Sequence, residues 1–263
     1  PNYAVTPFVN LPIHKLLYNR SQANGDSTAV IFHGQHITYD QLERRAAGIA
    51  DFLTKQGIRP GQCVGLCLSR TPDIIAAMYA VLKVGGSYVF ALPTFPEARL
   101  RYMMEISQAP VVLYDEAAKV QMPVDAFDGT AIRAFRLPDC KAEPIGGSSV
   151  GVDALVNVLF TSGSTGEPKG VMLRHRSVSN LYSQMKSLLD PIDGNVLCST
   201  NSVFDCFVVE TLIALALGRT VVLADEEEMM LPWKLATLIE TYHTGITEMT
   251  PSRLQMCLGN DAF

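Results

Sequence analysis

Short apolar runs alternate with amphipathic segments along nearly the whole chain, and this alternation restricts the possible folds more than any other feature. The runs typical of strands cover residues 28–32, 36–38, 62–68, 88–91, 110–114, 155–160, 195–199, 220–224 and 245–249. Helices are predicted between most of them. In the clearest one, Thr38 and Gln41 match a capping box and Gly57 provides a natural stop. Strands that alternate with helices indicate an α/β protein whose parallel sheets are covered by helices on both faces.

A segment rich in glycine and hydroxyl groups directly follows the apolar run 155–160. Residues 161–170 read Thr-Ser-Gly-Ser-Thr-Gly-Glu-Pro-Lys-Gly. Glycines let a backbone approach a ligand closely, successive N–H groups form an anion-binding concavity, and a lysine supplies a point charge for phosphate oxygens. The alternative is a flexible Ser/Gly linker, but that explains neither Pro-Lys-Gly beside a strand nor the apolar continuation at 171–173. The segment therefore predicts a phosphate-binding loop.

The spacing within this segment excludes two common types of phosphate loop. A Walker-type loop needs glycine immediately before its lysine and Ser or Thr after it. Here Pro168 precedes Lys169 and Gly170 follows it. The dinucleotide pattern G-x-G-x-x-G finds no register in the segment either. The loop is thus neither an NTPase P-loop nor a Rossmann loop.

Composition narrows the class of protein further. The chain has 263 residues, 48% hydrophobic and 18% charged, enough for one large core or two smaller ones. Its net charge of −5 argues against a nucleic-acid partner, and no apolar run reaches the roughly 18 residues of a membrane span. The N-terminus lacks both signal-peptide features and a start methionine, so we expect a cytoplasmic protein and a piece of a longer chain. The six cysteines form no C-x-x-C pair, which favours buried, reduced thiols.

Residues 161–170 resemble, at every position, the phosphate loop S/T-S/T-G-S/T-S/T-G-x-P-K-G of adenylate-forming enzymes. The resemblance continues along the chain in the family's order, and its second and fourth motifs are similar to the nonribosomal peptide synthetase branch. One departure lies at residues 90–93, where Phe-Ala-Leu-Pro replaces the usual Pro-Ile/Leu-Asp-Pro. The further matching segments are Ile-Thr-Tyr-Asp-Gln-Leu at 37–42, Leu-Lys-Val-Gly-Gly-Ser-Tyr-Val at 82–89, Phe-Pro-Glu-Ala-Arg-Leu at 95–100, and Phe204-Asp205, with Phe207 in place of the motif's serine.

This resemblance implies two packed, mostly parallel sheets flanked by helices, as in the N-terminal region of that fold. Residues 1–263 would form an incomplete large N-terminal domain, with two α/β subdomains and the phosphate loop at 161–170. The implied reaction is attack of an amino-acid carboxylate on the α-phosphorus of ATP, with Mg²⁺, giving aminoacyl-AMP and pyrophosphate. No residue here is implied as a metal ligand. Lys169, Thr161 and Thr165 are the implied catalytic residues, and the implied ATP-binding set is Thr161, Ser162, Gly163, Ser164, Thr165, Gly166 and Lys169.

The fourth motif carries the prediction about the substrate. In members that activate amino acids, its aspartate pairs with the substrate α-amino group, and Asp205 fits that position; a helix N-cap is the alternative role. Phe204 fits the aromatic residue beside the acyl group, with a plain core residue as the alternative. The same motif match puts Cys206, Val209 and Glu248 around the substrate side chain. A carboxylate in that pocket suggests a basic or hydrogen-bonding side chain such as ornithine.

Several family motifs are missing before residue 263. They are the Tyr-Gly-Pro-Thr-Glu segment, the ribose-binding aspartate, the hinge and the catalytic lysine of the small C-terminal domain, so we expect the isolated fragment to be inactive. The implied partners are a peptidyl carrier protein bearing phosphopantetheine and a condensation domain of a parent synthetase, in antibiotic biosynthesis. No nucleic-acid or membrane partner is expected. An acyl- or aryl-CoA ligase of the same superfamily and a noncatalytic nucleotide-binding module remain the alternatives.

Overall fold

The computed structural model of the protein describes residues 8–121, 127–161 and 168–260, and it is built from strands that alternate with helices. In chain order the elements are α1 (Ile13–Ala23), β1 (Thr28–Phe32), β2 (Gln35–Thr38), α2 (Tyr39–Lys55), β3 (Cys63–Cys67), α3 (Pro72–Lys83), β4 (Ser87–Phe90), α4 (Glu97–Ile106), β5 (Val111–Tyr114), α5 (Glu116–Gln121), β6 (Arg133–Arg136), β7 (Leu155–Thr161), β8 (Lys169–Arg174), α6 (His175–Leu189), β9 (Asn195–Cys198), α7 (Cys206–Val208), a π-helical segment (Val209–Ile213), α8 (Ala214–Ala216), β10 (Val221–Leu223), α9 (Glu226–Met230), α10 (Pro232–Thr241), β11 (Thr244–Thr247) and α11 (Pro251–Leu258).

The strands form two mostly parallel sheets. A five-stranded sheet has the order β11-β9-β10-β1-β2, and a six-stranded sheet has the order β6-β5-β3-β4-β7-β8. The antiparallel pairs are the hairpins β1–β2 and β7–β8, each at one end of its sheet, and the other neighbours run parallel. Parallel neighbours need crossover connections, and helices supply most of them here. The predicted α/β fold with two sheets is confirmed.

The start of α2 shows how local sequence sets an element boundary. The Thr38 hydroxyl accepts the Gln41 N–H at 3.2 Å, and Gln41 Oε1 accepts the Thr38 N–H at 2.9 Å. This is the predicted capping box, which satisfies two N–H groups at the helix start. Two residues after the helix ends at Lys55, Gly57 has a φ of +88°, a backbone conformation that glycine adopts readily.

One apolar cluster joins the two sheets. It contains Val64 and Leu66 of β3, Val30 of β1 and Val196 of β9, together with the buried faces of α2 and α3. Burying both sheets against the same helices fixes their relative position, because each helix must satisfy two packing surfaces at once.

The cysteines are free thiols, but not all are buried as predicted. Cys63 and Cys67 share one face of β3 and are buried in a second apolar cluster with Met103 and Met104. Cys140 and Cys206 are only half-buried. The prediction of uniformly buried thiols is therefore wrong for the two cysteines that lie outside strands and apolar clusters.

The acidic run at 225–228 is not the solvated turn that its composition suggests. Asp225 caps α9: its Oδ1 accepts the Glu228 N–H at 2.7 Å, and Glu228 Oε2 accepts the Asp225 N–H at 2.8 Å. Carboxylates are stabilising at a helix N-terminus, where unpaired N–H groups point outward. A capping box read from the spacing of Asp225 and Glu228 would have found this helix.

No helix in the described ranges combines the length and the apolar character that a membrane crossing requires.

Candidate functional site

A cavity of about 720 Å³ lies where strands of both sheets end. Its lining includes Leu92 after β4, Thr161 at the end of β7, and Asn201, Phe204 and Asp205 after β9. The carboxyl ends of parallel strands are the usual place for a ligand in α/β proteins, because the loops there open a crevice above the sheet. The cavity therefore has the position expected of a ligand site.

Both ends of the predicted phosphate loop meet at this crevice. Thr161 in β7 lies opposite Lys169 in β8, so the apolar continuation after the loop is an antiparallel strand. Thr161 lines the cavity, and Lys169 is exposed beside it. The Tyr102 hydroxyl donates to the Pro168 carbonyl oxygen at 3.2 Å, which ties the end of the loop to α4.

The interior of the loop lies outside the described residues. This part contains Ser162, Gly163, Ser164, Thr165 and Gly166, whose roles stay predictions. Gly170 lies within the described part, and its lack of a side chain has a packing reason. A Cβ there would lie 3.0 Å from Val158 Cγ1 and 3.5 Å from Phe160 Cζ.

Phe204 and Asp205 both face the cavity. Phe204 is 60% exposed, so it is not the core residue that was its alternative interpretation. Asp205 accepts the Cys206 N–H through Oδ1 at 3.0 Å, which caps α7. The capping bond uses one carboxylate oxygen in an exposed side chain, and such a carboxylate is able to pair with a cation as well.

Two carboxylates flank the Cys206 thiol. Burial raises the pKa of this thiol to about 12, and the neighbouring carboxylates of Glu248 and Asp205 act in the same direction. Glu248 comes directly after β11, which pairs with β9, so the two acidic residues lie beyond adjacent strand ends. The fold thus brings Asp205, Cys206 and Glu248 together in a region of negative charge.

In the described part of the chain, the cavity lining leaves out the three residues predicted to surround the substrate side chain. Among the described residues, its lining does not include Cys206, Val209 or Glu248. Val209 is half-buried and packs against the main apolar cluster. Its predicted contact with substrate, like those of Cys206 and Glu248, stays a prediction.

Residues 17–263 match a family model described as AMP-binding enzyme. The chain belongs to the AMP-binding enzyme family. This confirms the family predicted from the loop and the motifs around it.

Curated relatives of this AMP-binding chain are large synthases. It is 33% identical over 256 residues to polyketide synthase PksN of Bacillus subtilis (strain 168), a match that covers 94% of this chain and 5% of that protein. It is 32% identical over 251 residues to bacitracin synthase 3 of Bacillus licheniformis, covering 93% of this chain and 4% of the relative. The chain therefore spans a small part of the relatives that it matches.

Solved structures of the nonribosomal peptide synthetase FmoA3 have the same fold. The form with alpha-methyl-L-serine-AMP bound matches with a TM-score of 0.87 and 25% identity, over 97% of this chain and 28% of that one. The AMPPNP-bound form also gives a TM-score of 0.87 at 25% identity, over 98% of this chain and 27% of that one.

A second cavity of the AMP-binding chain adjoins the first. It also measures about 720 Å³, and the two share Leu92 and Asn201 as lining residues. Sequence reasoning missed Asn201, although its position just beyond a predicted strand end was a usable signal. His33 and Asp225 line the second cavity, and their ligand atoms lie within 4.8 Å of one another and of a Glu228 carboxylate oxygen. Both carboxylates already cap α9, which gives this acidic group a structural explanation.

Proposed function

We propose that this chain is the N-terminal part of an adenylation domain that activates an amino acid as aminoacyl-AMP and releases pyrophosphate. The observation that carries the proposal is the cavity at the strand ends, where Thr161 of the β7–β8 hairpin lines the same space as Phe204 and Asp205. A phosphate-binding edge and a carboxylate able to bind an ammonium then face one another across a single site. The likeness to bacitracin synthase 3 and to the aminoacyl-AMP form of FmoA3 supports the same function.

The phosphate side of the site would hold the β- and γ-phosphates of ATP. Thr161 offers a hydroxyl and Lys169 an ammonium, a donor set that fits polyphosphate oxygens. Ser162, Gly163, Ser164, Thr165 and Gly166 are proposed to complete it. Mg²⁺, when bound with ATP, would neutralise charge on the leaving pyrophosphate. No residue of this chain is proposed as a Mg²⁺ ligand.

The substrate side would bind the amino acid by its α-amino group. Asp205 is proposed to pair with that ammonium, and Phe204 to lie against the acyl group. Cys206, Val209 and Glu248 are proposed to surround the side chain. Because the carboxylates of Asp205 and Glu248 flank Cys206, we propose a cationic substrate side chain such as that of ornithine. Transfer to the phosphopantetheine thiol of a carrier protein, beside a condensation domain, would follow in the parent synthetase.

Amino-acid-dependent exchange between pyrophosphate and ATP tests this function in the natural protein that contains the chain. We expect ornithine and lysine to support exchange better than leucine or valine. A preference for apolar amino acids would contradict the proposal of a cationic substrate, but it would agree with the adenylation of an amino acid. Acyl-AMP formation from fatty or aryl acids, with no response to any amino acid, would instead favour the acyl- or aryl-CoA ligase.

Replacing Lys169 with alanine tests the phosphate side. We expect Lys169→Ala to raise the KM for ATP or lower the exchange rate by about 10- to 100-fold, because a charge-assisted bond to phosphate is lost. Lys186→Ala is the matched control, since Lys186 is an exposed lysine of α6 that pairs with Asp190. Unchanged ATP kinetics in Lys169→Ala, or equal effects in both variants, would count against the assigned role.

A further inference from the structure

Three buried or half-buried charged side chains hold the backbone just before the substrate-side residues. Glu210 Oε2 accepts the N–H groups of Ser199 at 3.1 Å and Thr200 at 2.9 Å, and Glu210 Oε1 accepts the Thr200 hydroxyl at 2.9 Å. The carbonyl oxygens of the same two residues accept from arginines. Arg253 donates to Ser199 at 2.6 Å, and Arg70 donates to Thr200 at 2.6 Å. Ser199 and Thr200 are thus each bound by a carboxylate at the N–H group and by a guanidinium at the carbonyl oxygen.

Arg70 links this segment to the rest of the protein. It follows β3 of the six-stranded sheet, is 6% exposed, and also donates to the carbonyl oxygens of Cys198 at 2.7 Å and Ala224 at 2.5 Å. Its guanidinium lies 5.3 Å from the ring centre of the buried Phe207. A single side chain just beyond the six-stranded sheet therefore holds the ends of β9 and β10 in the other sheet.

Glu210 lies in the π-helical segment and is 1% exposed. Burial raises the pKa of this carboxyl to about 6, while its bonds to Thr200 and the Arg70 charge act in the opposite direction. The ionisable groups that face it are Arg70, the Cys198 thiol and Arg253. π-helical segments often occur at functional sites, where they redirect one side chain of a helix.

Ser199 and Thr200, which we call the held segment, come shortly before the residues proposed to bind the substrate. Asn201 follows Thr200 and forms a turn in which its Oδ1 accepts the Val203 N–H at 3.2 Å and its carbonyl oxygen accepts the Phe204 N–H at 3.1 Å. On the other side, Glu210 is on the helical stretch that begins directly after Asp205. The contacts of Glu210 therefore close residues 199–210 into a loop whose exposed part carries Phe204 and Asp205.

We propose that Glu210, Arg70 and Arg253 are positioning residues that hold Phe204 and Asp205 in the orientation that receives the amino acid. They act through the backbone of Ser199 and Thr200 and need not touch the substrate. This inference rests on the proposed function for its consequence in catalysis. The hydrogen bonds from these three side chains to the backbone do not depend on that function.

Glu210→Gln in the natural protein tests the proposal, with exchange kinetics measured between pH 5 and 8. In the wild type, we expect the KM for the amino acid to rise as the pH falls through about 6, because the neutral carboxyl accepts hydrogen bonds more weakly. In Glu210→Gln, the KM should be about 5- to 10-fold higher at pH 7.5 and should lose this pH dependence. Thr211→Val is the control, because the Thr211 hydroxyl donates to the Phe207 carbonyl oxygen and makes no bond to the held segment.

Amide hydrogen exchange at pH 7.5 supplies a readout that needs no activity. Faster exchange of the Ser199 and Thr200 amides in Glu210→Gln, but not in Thr211→Val, would support the proposal that Glu210 holds this backbone in place. If neither the exchange of these amides nor the KM profile changes, the proposal is overturned. If no amino acid supports pyrophosphate exchange in the wild type, the proposed function is overturned. Amide hydrogen exchange would still test whether Glu210 holds the backbone of Ser199 and Thr200.

A milder variant covers the case in which Glu210→Gln does not fold. Arg253→Lys keeps the charge but removes the forked geometry that reaches both Ser199 and the Met229 carbonyl oxygen. We expect a smaller rise in the amino-acid KM and faster exchange within residues 199–205. Values equal to those of the wild type would overturn the proposal.

Discussion

Replacing Asp205 with asparagine is expected to lower kcat/KM for the amino acid by about 100-fold or more, with little change in the KM for ATP. The reason is the loss of a charge pair with the substrate ammonium, which leaves that cation without its partner. Asparagine is the sharpest choice because it keeps a side-chain oxygen for the Cys206 N–H and is an equally good helix cap. The variant therefore separates substrate binding from capping. Pyrophosphate exchange, with the amino acid and ATP varied in turn, measures the effect.

Asp193→Asn is the matched control for this substitution. Asp193 also accepts the N–H of the next residue, at 2.8 Å to Gly194, but it is exposed and precedes β9, whereas the cavity residues follow that strand. We expect this variant to keep wild-type kinetics. If Asp205→Asn does the same, Asp205 serves only as a helix cap, and the proposal of an amino-acid substrate loses its main support.

The second large effect is expected on stability, from the buried ion pair of Lys83 and Glu43. The two side chains are 0% and 1% exposed, with Lys83 Nζ 2.5 Å from Glu43 Oε1. The ammonium also donates to the Ile145 carbonyl oxygen and lies 4.4 Å from the ring centre of Tyr79. Burial lowers the pKa of Lys83, and the Glu43 carboxylate opposes that shift. Each of the two buried charges is therefore stabilised by its partner.

We expect Lys83→Met to reduce the free energy of unfolding by about 3–5 kcal/mol, because it leaves the Glu43 carboxylate buried without a cation. For a domain of this size the melting temperature should fall by roughly 6–20 °C. The double variant Lys83→Met with Glu43→Leu should recover much of the loss, since apolar replacements of buried pairs are often neutral. Thermal unfolding followed by circular dichroism measures all three proteins.

Lys55→Met is the surface control, because Lys55 pairs with Asp51 on the exposed side of α2. Exposed ion pairs contribute little to stability, so its melting temperature should stay close to that of the wild type. A near-neutral Lys83→Met, or a double variant less stable than the single one, would contradict the view that the pair stabilises by mutual compensation. The experiment also bears on the Leu-Lys-Val-Gly segment, whose lysine has a structural role in this fold.

Several local features around the candidate site could be predicted from the sequence, but each was predicted separately from the others. The loop from Thr161 to Lys169 followed from glycine spacing, and the α2 capping box from two residues three positions apart. The start of α9 is harder to predict, because four successive acidic residues have the composition of a solvated turn and only the spacing of Asp225 and Glu228 indicates a helix cap. The π-helical turn at Val209 had no sequence signal, because a long apolar helix looks the same with or without one extra residue in a turn.

The sequence by itself determined the alternation of strands and helices, the caps and turns, and the family to which the loop belongs. These depend on backbone conformations and hydrogen bonds between near neighbours, which local composition fixes. Only the tertiary structure decided which distant residues meet. Arg70 reaches Cys198 and Ala224, which are 128 and 154 positions away, and Lys83 finds Glu43 across two helices. Such contacts follow from strand order and from the packing of both sheets on shared helices, which no local pattern specifies.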